Sequence, residues 1–436
     1  MLPNPRAPAS FEEARAAVLA AARPLGPPDA VAIAEAAARV LAEDVASVAD
    51  VPGFDNSGMD GYAVRTEDVA GASTEAPRRL RVVGDLPAGR APREAVGPGE
   101  AIRIMTGAPI PDGADQVVEV ERTAPAEGGA GGAASVLVLA AREPGANIRR
   151  AGEDLRRGTR ALEAGVRLGP PEIGLLAACG RETVKVARRP LVAILSTGDE
   201  VVAPGAPEPL ARGQVRDANQ HSLAAAAVVA CGARPLALGI ARDDPGAIEA
   251  AVREGLGRGA DALLTSAGIS VGARDCAPDV FCGLGFAERF REVKIKPGRP
   301  FTFYVGEPGP GGGAGARPRP VFALPGNPVA ALVCFELFVR PALLVMQGAR
   351  ALDRPEVVAV SDRALRARPG RINFVRARLR YDPEAIGGYR VAEVLPEGSG
   401  ISRTMHQADA LLRVDAPVAP GGRVRAILLH AQEVTP

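Results

Sequence analysis

Four short clusters of Gly, Asp, Ser and Asn residues carry the side chains best suited to binding a phosphorylated ligand. They are Ser196-Thr197-Gly198-Asp199-Glu200, Asp243-Asp244, residues 266–272 and Pro325-Gly326-Asn327-Pro328. The carboxylates of Glu200, Asp244 and Asp275 could hold Mg²⁺, which prefers oxygen ligands and keeps several waters. Capping of helix N-termini is the alternative role for these acidic residues, because Asp is a preferred N-cap residue.

Two further features of the sequence favour anion binding. The chain has 3 lysines among its 52 basic residues, and two of them, Lys294 and Lys296, lie beside Pro297-Gly298-Arg299. Lys296 and Arg299 around this rigid turn predict a two-point cationic site for a phosphate or another tetrahedral oxyanion, with a solvated loop as the alternative. Backbone N–H groups in the loop 268–272, which contains Gly268, Ser270 and Gly272, could bind another anion.

The clusters occupy corresponding points of a β-α alternation that begins at Pro190. The apolar run 191–195 is typical of a strand buried on both faces of a parallel sheet. Further strands are predicted at 235–241, 262–265, 301–305 and 321–324, and helices behind an Asn219 cap, at 245–256 and at 329–346. This pattern predicts a doubly wound α/β domain over residues 188–348. Because each cluster follows a strand and precedes a helix, we expect a ligand site at the carboxyl edge of the sheet.

The segments on either side make this a multidomain chain of α/β and β units. A capping box at Ser10 and Glu13 predicts a helix over 11–22, and Asp29 predicts a second helix that runs to about residue 44. Short β-like runs predict a β domain at 52–147, inserted into a helical N-terminal domain built from 1–51 and 148–187. Further β-like runs predict a small C-terminal β domain, similar to a barrel, at 349–436.

Composition excludes several classes of protein. Lys and Arg total 52 and Asp and Glu total 51, a net charge of +1, so no general binding of nucleic acid is expected. No uncharged stretch, including the apolar run 222–233, is as long as a membrane span, so no membrane association is expected. Five cysteines without a CxxC pair, and an N-terminus without a secretory pattern, predict a cytoplasmic protein. The three histidines lack the spacing of zinc ligands.

A set of ordered motifs connects these features to a known family. The motifs are FDNSGMDGYAV at 54–64, MTGAPIPDGAD at 105–115, GED at 152–154, STGDE at 196–200, GISVG at 268–272, KPG at 296–298 and LPGNP at 324–328. Together they span nearly the whole chain. They resemble the signatures of the MoeA family, the molybdopterin molybdenumtransferases related to the E domain of gephyrin.

The resemblance implies insertion of molybdate into adenylylated molybdopterin, with Mg²⁺-dependent cleavage of the pyrophosphate link and release of AMP. It implies a homodimer whose site lies between the α/β domain and the inserted β domain of the partner subunit. A transient contact with the enzyme that adenylylates molybdopterin would supply the substrate. The implied catalytic residues are Asp60, Thr106, Asp154, Glu200 and Lys296, and the implied metal ligands are Glu200, Asp244 and Asp275. The implied substrate-binding residues are Ser196, Thr197, Gly198, Ser266, Gly268, Ser270, Gly272, Arg299, Pro325, Gly326, Asn327 and Pro328.

Some positions depart from the family pattern. Ala267 replaces a glycine, Cys276 an aromatic residue, Glu292 a basic residue and Thr404 a frequent serine. The C-terminal motifs match only loosely, which weakens any assignment of Arg371 and Arg376 from the resemblance.

Three alternative functions are compatible with the same fold. A scaffold or binding module would be expected to have lost the acidic and cationic site residues, which this chain retains. Tungstate could replace molybdate, because the two oxyanions are alike in size and charge. An enzyme that adenylylates the pterin is disfavoured, because the flanking domains match the later step.

Overall fold

The computed structural model describes residues 7–126, 134–266, 276–306, 317–396 and 398–429. The chain begins with α1 (Phe11–Ala21), β1 (Asp29–Ala32) and β2 (Val45–Ala46). The predicted capping box is confirmed, since Ser10 Oγ accepts from Glu13 N at 3.1 Å and Glu13 Oε2 accepts from Ser10 N at 2.8 Å. The second predicted helix is wrong. Residues 29–44 form β1, a 3₁₀ turn at Ile33–Glu35 and irregular backbone, because β1 pairs with a later strand at Thr183–Val186.

A six-stranded sheet follows in the inserted region. Its segment contains β3 (Asn56–Ser57), β4 (Gly61–Val64), α2 (Thr66–Val69), β5 (Arg78–Leu86), β6 (Glu100–Ile104), β7 (Gln116–Glu119), β8 (Thr123–Ala126) and β9 (Ser135–Val138). The strand order is β7-β4-β6-β5-β9-β8. Separate apolar clusters cover its two faces, so this β unit has a core of its own.

The chain then returns to the N-terminal segment. The elements are β10 (Ile148–Arg149), β11 (Arg160–Leu162), α3 (Pro170–Ala178) and β12 (Thr183–Val186). β10 pairs with β3, β11 with β2 and β12 with β1, all antiparallel. The helical prediction for 148–187 therefore holds for α3 alone, and short strand pairs from both flanks build the rest.

The α/β unit has the predicted doubly wound form. Its first half contains β13 (Leu191–Thr197), β14 (Val201–Val202), β15 (Val215–Arg216), α4 (Asn219–Cys231), β16 (Arg234–Ala241), α5 (Pro245–Gly257), β17 (Ala262–Ser266) and α6 (Ala277–Gly283). Its second half contains β18 (Phe286–Arg291), β19 (Ile295–Lys296), β20 (Thr302–Gly306), β21 (Arg319–Leu324), α7 (Pro328–Cys334) and α8 (Arg340–Met346). The sheet order is β16-β13-β17-β21-β20-β18, in which the first four strands are parallel. β20 and β18 are antiparallel additions at one edge.

A π-helical turn at Phe335–Val339 joins α7 to α8 into one helical run. Among the described residues this run, Pro328–Met346, is the one helix long and apolar enough to cross a membrane by length and composition. It is mostly buried within the chain. The ring centroids of Phe338 and Phe11 lie 5.5 Å apart, so α1 packs on this run and shares the core of the α/β unit.

The C-terminal segment forms the predicted small barrel. It contains β22 (Glu356–Ser361), β23 (Ile372–Tyr381), β24 (Tyr389–Glu393), α9 (Arg403–His406), β25 (Ala410–Val414) and β26 (Arg423–Leu428). Pairing of β23 with both β24 and β25 closes the sheet. The short strand β19 leaves the α/β unit and pairs in parallel with β23, which places Lys296 opposite Asn373.

Candidate active site at the carboxyl edge of the parallel sheet

A cleft of about 630 Å³ lies at the carboxyl edge of the parallel strands. Ser196 and Thr197 end β13, and Ser196 lies opposite Ser266 at the end of β17. The structure brings these residues together with the loop that follows β21. The sequence-predicted residues that line the cleft are Ser196, Thr197, Glu200, Ser266, Pro325, Gly326, Asn327 and Pro328.

Asn219 connects two of these loops, a role that sequence reasoning missed. It was predicted as a helix cap, but it is the first residue of α4, and Ala218 holds the cap position. Its Nδ2 donates to Gly326 O at 2.7 Å and also to Ser266 Oγ. Asn219 Oδ1 and Ser196 Oγ are buried and have no hydrogen-bond partner among the described residues. Since burying an unpaired polar atom is costly, both oxygens are suited to bind a ligand.

The turn after β13 presents Glu200 to the cleft. Gly198 has φ 136°, and a Cβ at this position would lie 2.5 Å from Glu200 Oε2. Glycine therefore suits this backbone conformation and leaves room for the Glu200 carboxylate to fold back over the turn. The Glu200 carbonyl accepts from Val215 N at 2.8 Å, which fixes the backbone behind the side chain.

The other acidic residues of this edge have different surroundings. Asp244 caps α5, since its Oδ1 accepts from Ala247 N at 2.8 Å, and it is not among the residues that line the cleft. Its role as a metal ligand stays a prediction. Asp217 is a lining residue that sequence reasoning missed, and it is almost fully buried. Its position two residues before α4 was the available signal.

Four predicted residues cannot be placed. Gly268, Ser270, Gly272 and Asp275 lie outside the described residues. Within the described ranges, no group of three His, Cys, Asp or Glu side chains could hold a metal ion on its own. A cation at Glu200 would therefore need ligands beyond the described side chains, such as oxygen atoms of a substrate and of water.

A second cavity of about 400 Å³ adjoins the cleft and is strongly cationic. Lys296 and Arg299 line one side, as the sequence predicts, and Arg371 and Arg376 of the C-terminal barrel line the other. Four basic side chains around one cavity favour a small multivalent oxyanion. The two cavities share three lining residues, which are Pro300, Pro325 and Asn327.

The turn that carries Lys296 and Arg299 packs closely on α7. Gly298 has φ 110°, and a Cβ there would lie 2.6 Å from Cys334 Sγ. The Cys334 thiol donates to Gly298 O at 3.7 Å. Burial raises the pKa of Cys334, so the thiol keeps its proton and remains a donor. The glycine and the thiol together set the position of the turn.

Asp60, Thr106 and Asp154 lie in other parts of the chain. Both the backbone N and the Oγ1 of Thr106 donate to Asp60 Oδ1 at 2.7 Å. These bonds lower the pKa of Asp60 and keep its carboxyl ionised. Gly61 follows Asp60, and a Cβ at Gly61 would lie 2.0 Å from Val118 O, so β4 needs this glycine for close strand packing.

Asp154 is exposed, and its backbone N donates to Val51 O at 3.1 Å. None of Asp60, Thr106 and Asp154 is among the residues that line the cleft or the cationic cavity. Within one chain the structure therefore brings Asp60 to Thr106 and does not bring either of them to Glu200.

Comparison with known protein families assigns nearly the whole chain. Residues 9–180 match the MoeA N-terminal region (domain I and II), and residues 193–345 match the probable molybdopterin binding domain. Residues 358–429 match the MoeA C-terminal region (domain IV).

Individual proteins show the same similarity. The chain is 38% identical over 396 residues to Molybdopterin molybdenumtransferase 2 of Mycobacterium tuberculosis, covering 90% of this chain and 92% of that protein. It is 40% identical over 311 residues to Molybdopterin molybdenumtransferase of Nostoc sp., covering 71% and 67%. The crystal structure of the molybdopterin biosynthesis moeA protein from Pyrococcus horikoshii OT3 matches with a TM-score of 0.78 at 28% identity, covering 97% of this chain and 100% of that one.

The contacts of Asp60 predict the effect of one substitution. Thr106→Val removes the hydroxyl donor and retains the backbone donor, so the pKa of Asp60 should rise toward its ordinary value. The carboxyl would then take up its proton at a higher pH. Carboxyl carbon shifts followed by NMR in a pH titration measure this change. Asp55, whose pKa is lowered mainly by the Ala151 N–H and Arg150, is the internal reference and should not move. An unchanged Asp60 titration would contradict the prediction.

Proposed function

This chain belongs to the MoeA family of molybdopterin molybdenumtransferases, and from this premise we propose that it inserts molybdate into adenylylated molybdopterin with Mg²⁺-dependent release of AMP. One observation carries the proposal. The cleft that contains Glu200 adjoins the cationic cavity that contains Lys296, and the two share Pro300, Pro325 and Asn327. A large phosphorylated substrate and a small oxyanion can therefore meet at one boundary.

The cleft suits the pterin nucleotide. Its volume of about 630 Å³ lies within the range of small-molecule sites. Ser196 Oγ and Asn219 Oδ1 are buried polar atoms in its lining that have no partner among the described residues. A ligand with a polar edge would satisfy both atoms and would be oriented by them.

The cationic cavity suits molybdate, which is a tetrahedral dianion. Lys296 supplies a compact ammonium, while Arg299, Arg371 and Arg376 supply planar guanidinium groups. Charge-assisted hydrogen bonds from several directions match the four oxygens of the oxyanion. Held here, molybdate lies next to the cleft, so the cationic groups offset its repulsion from the phosphates of the nucleotide.

Glu200 fits a magnesium site that the substrate completes. Mg²⁺ is commonly bound by one or two carboxylates together with substrate phosphates and water, and Glu200 is a carboxylate in the cleft lining. When bound, the cation offsets negative charge on the pyrophosphate as its bond breaks. Glu200 orients the phosphates for this cleavage, and Asp244 and Asp275 remain further candidate ligands.

We also propose that the chain works as a cytoplasmic homodimer with a shared site. Asp60 and Thr106 do not line either cavity of their own chain. The hydrogen bonds from Thr106 keep the Asp60 carboxyl ionised. Asp60 is exposed, so it can face a cavity of another subunit. There it would order a water molecule or the metal-bound phosphates. The enzyme that adenylylates molybdopterin would deliver the substrate by transient contact.

The direct test is an assay of AMP release. Purified protein is incubated with adenylylated molybdopterin, Mg²⁺ and molybdate, and AMP and metal-loaded cofactor are measured. We expect AMP release that depends on molybdate, and a parallel reaction with tungstate gives the oxyanion preference. Tight pterin binding without AMP release would contradict the proposal and favour a scaffold.

Lys296 should matter for oxyanion binding more than for folding. We expect Lys296→Ala to raise the Kd for molybdate roughly 10- to 100-fold, since a hydrogen bond to a charged group contributes about 1.5–3 kcal/mol. Isothermal titration calorimetry measures this change, with thermal unfolding alongside. Lys294→Ala is the matched control, because Lys294 does not line the cavity and its backbone bonds to Ala9 and Ile372 do not need the side chain. Equal losses of stability and binding in K296A would make Lys296 a structural residue.

The shared site predicts recovery of activity in mixed dimers. In an equal mixture of Asp60→Ala and Glu200→Ala subunits, half of the dimers are mixed, and one of the two sites in each mixed dimer is intact. AMP release should therefore return to roughly a quarter of the wild-type rate from near zero. Subunit exchange between equal amounts of the two variants provides the mixture, and affinity purification of two-tag dimers isolates the mixed dimers, for which we expect roughly half of the wild-type rate. Verified mixed dimers without any recovery would rule out a site shared between subunits.

A further inference from the structure

Glu292 holds one of the cations of the oxyanion cavity. Arg299 donates to Glu292 Oε2 through Nε at 3.1 Å and through Nη2 at 3.0 Å. Arg299 lines the cavity, whereas Glu292 is not among the lining residues. The guanidinium group is therefore held by a carboxylate that lies outside the cavity.

The backbone fixes Glu292 in this position. Its φ is 62°, in the left-handed region that non-glycine residues adopt only at a cost in free energy. Its carbonyl accepts from Ala9 N at 3.0 Å, and the next residue, Val293, donates to Arg299 O at 2.9 Å. Glu292 thus faces Arg299 across a closed turn, and both the main chain and the side chain hold the pair together.

The ion pair has a consequence for binding. Four cationic side chains around one cavity repel one another, and Glu292 supplies a counter-charge to one of them. An oxyanion that binds Arg299 must compete with the carboxylate for the same N–H donors. The Arg299 side chain is 61% exposed and that of Glu292 is 25% exposed, so solvent screens the pair and the competition is moderate.

We propose that Glu292 lowers the affinity of the cavity for its oxyanion by occupying Arg299. This inference rests on the proposed function, since it concerns the molybdate site of the same reaction. A moderate affinity allows the oxyanion to leave the cavity and enter the cofactor. An oxyanion held more tightly in the ground state gains nothing in the transfer step.

Neutralising Glu292 tests the proposal. In the purified full-length protein, Glu292→Gln retains the shape of the side chain and removes its charge. We expect the Kd for molybdate, measured by isothermal titration calorimetry, to fall about fivefold, the upper range for a partly exposed ion pair. Glu292→Gly gives the same expectation and relieves the positive φ, so it serves if the glutamine variant folds poorly.

Two controls separate this effect from general electrostatics. Glu249→Gln removes one negative charge from an exposed ion pair with Arg253 on α5, outside the cavity lining, and should leave the Kd unchanged. In an Arg299→Gln background, Glu292→Gln should no longer tighten binding, since the interaction it relieves is gone. A KM for molybdate that falls with little change in kcat would agree with ground-state competition.

The outcomes distinguish this inference from the proposed function. If E292Q and E292G bind molybdate with the same Kd as the wild-type protein, the role of Glu292 is overturned and the proposed function remains intact. Tighter binding in E292Q without AMP release by any variant would support the role of Glu292 and overturn the proposed function. Failure of every variant to bind molybdate would overturn both.

Discussion

The parallel pairing of β19 with β23 is the contact on which the candidate oxyanion cavity depends. β19 contains only Ile295 and Lys296, yet it joins the α/β unit to the C-terminal barrel through the Lys296–Asn373 register. Ile372 N also donates to Lys294 O at 3.0 Å, which extends the same connection. Together with the burial of Phe374 in the core of the α/β unit, this pairing brings the cations of the two units to one cavity. The pairing therefore converts two separate basic surfaces into one cavity.

Local packing keeps the cationic turn in place behind this pairing. Gly298 fits against Cys334 only because it lacks a Cβ, and the buried thiol donates to its carbonyl. Cys334 ends α7, which packs into the main apolar core of the α/β unit. The packing of the core therefore fixes the position of the turn, although the aromatic side chains of the core supply no charged group to the cavity. Because the turn is rigid, the cations are already in position, and less conformational entropy is lost when an oxyanion binds.

The charge distribution is uneven even though the net charge is only +1. Arg299, Arg371, Arg376 and Lys296 surround the smaller cavity, while Glu200 and Asp217 lie in the lining of the larger cleft. The lining of the larger cleft also contains Arg216, and because the proposed reaction brings two anions together, cations on both sides of the boundary would offset their repulsion. One further carboxylate, Glu292, lies beside Arg299. The overall composition does not show this local balance of positive and negative charge.

The sequence by itself determined the α/β unit, the position of the candidate cleft at its carboxyl edge and the two cations of the 296–299 turn. These features depend on local patterns, namely a buried apolar strand, turn residues at strand ends and a rigid Pro-Gly turn. It failed at residues 29–44, where the helix-like pattern was overridden by pairing of β1 with β12, about 150 residues away. It also missed the bridge that Asn219 makes between Ser266 and Gly326. Only the tertiary structure decided that Arg371 and Arg376 join Lys296, that Glu292 holds Arg299, and that Asp60 lies apart from Glu200 within one chain. Each of these three arrangements depends on contacts between residues distant in sequence or on the direction of a side chain. A local sequence pattern specifies neither the distant contacts nor the side-chain direction.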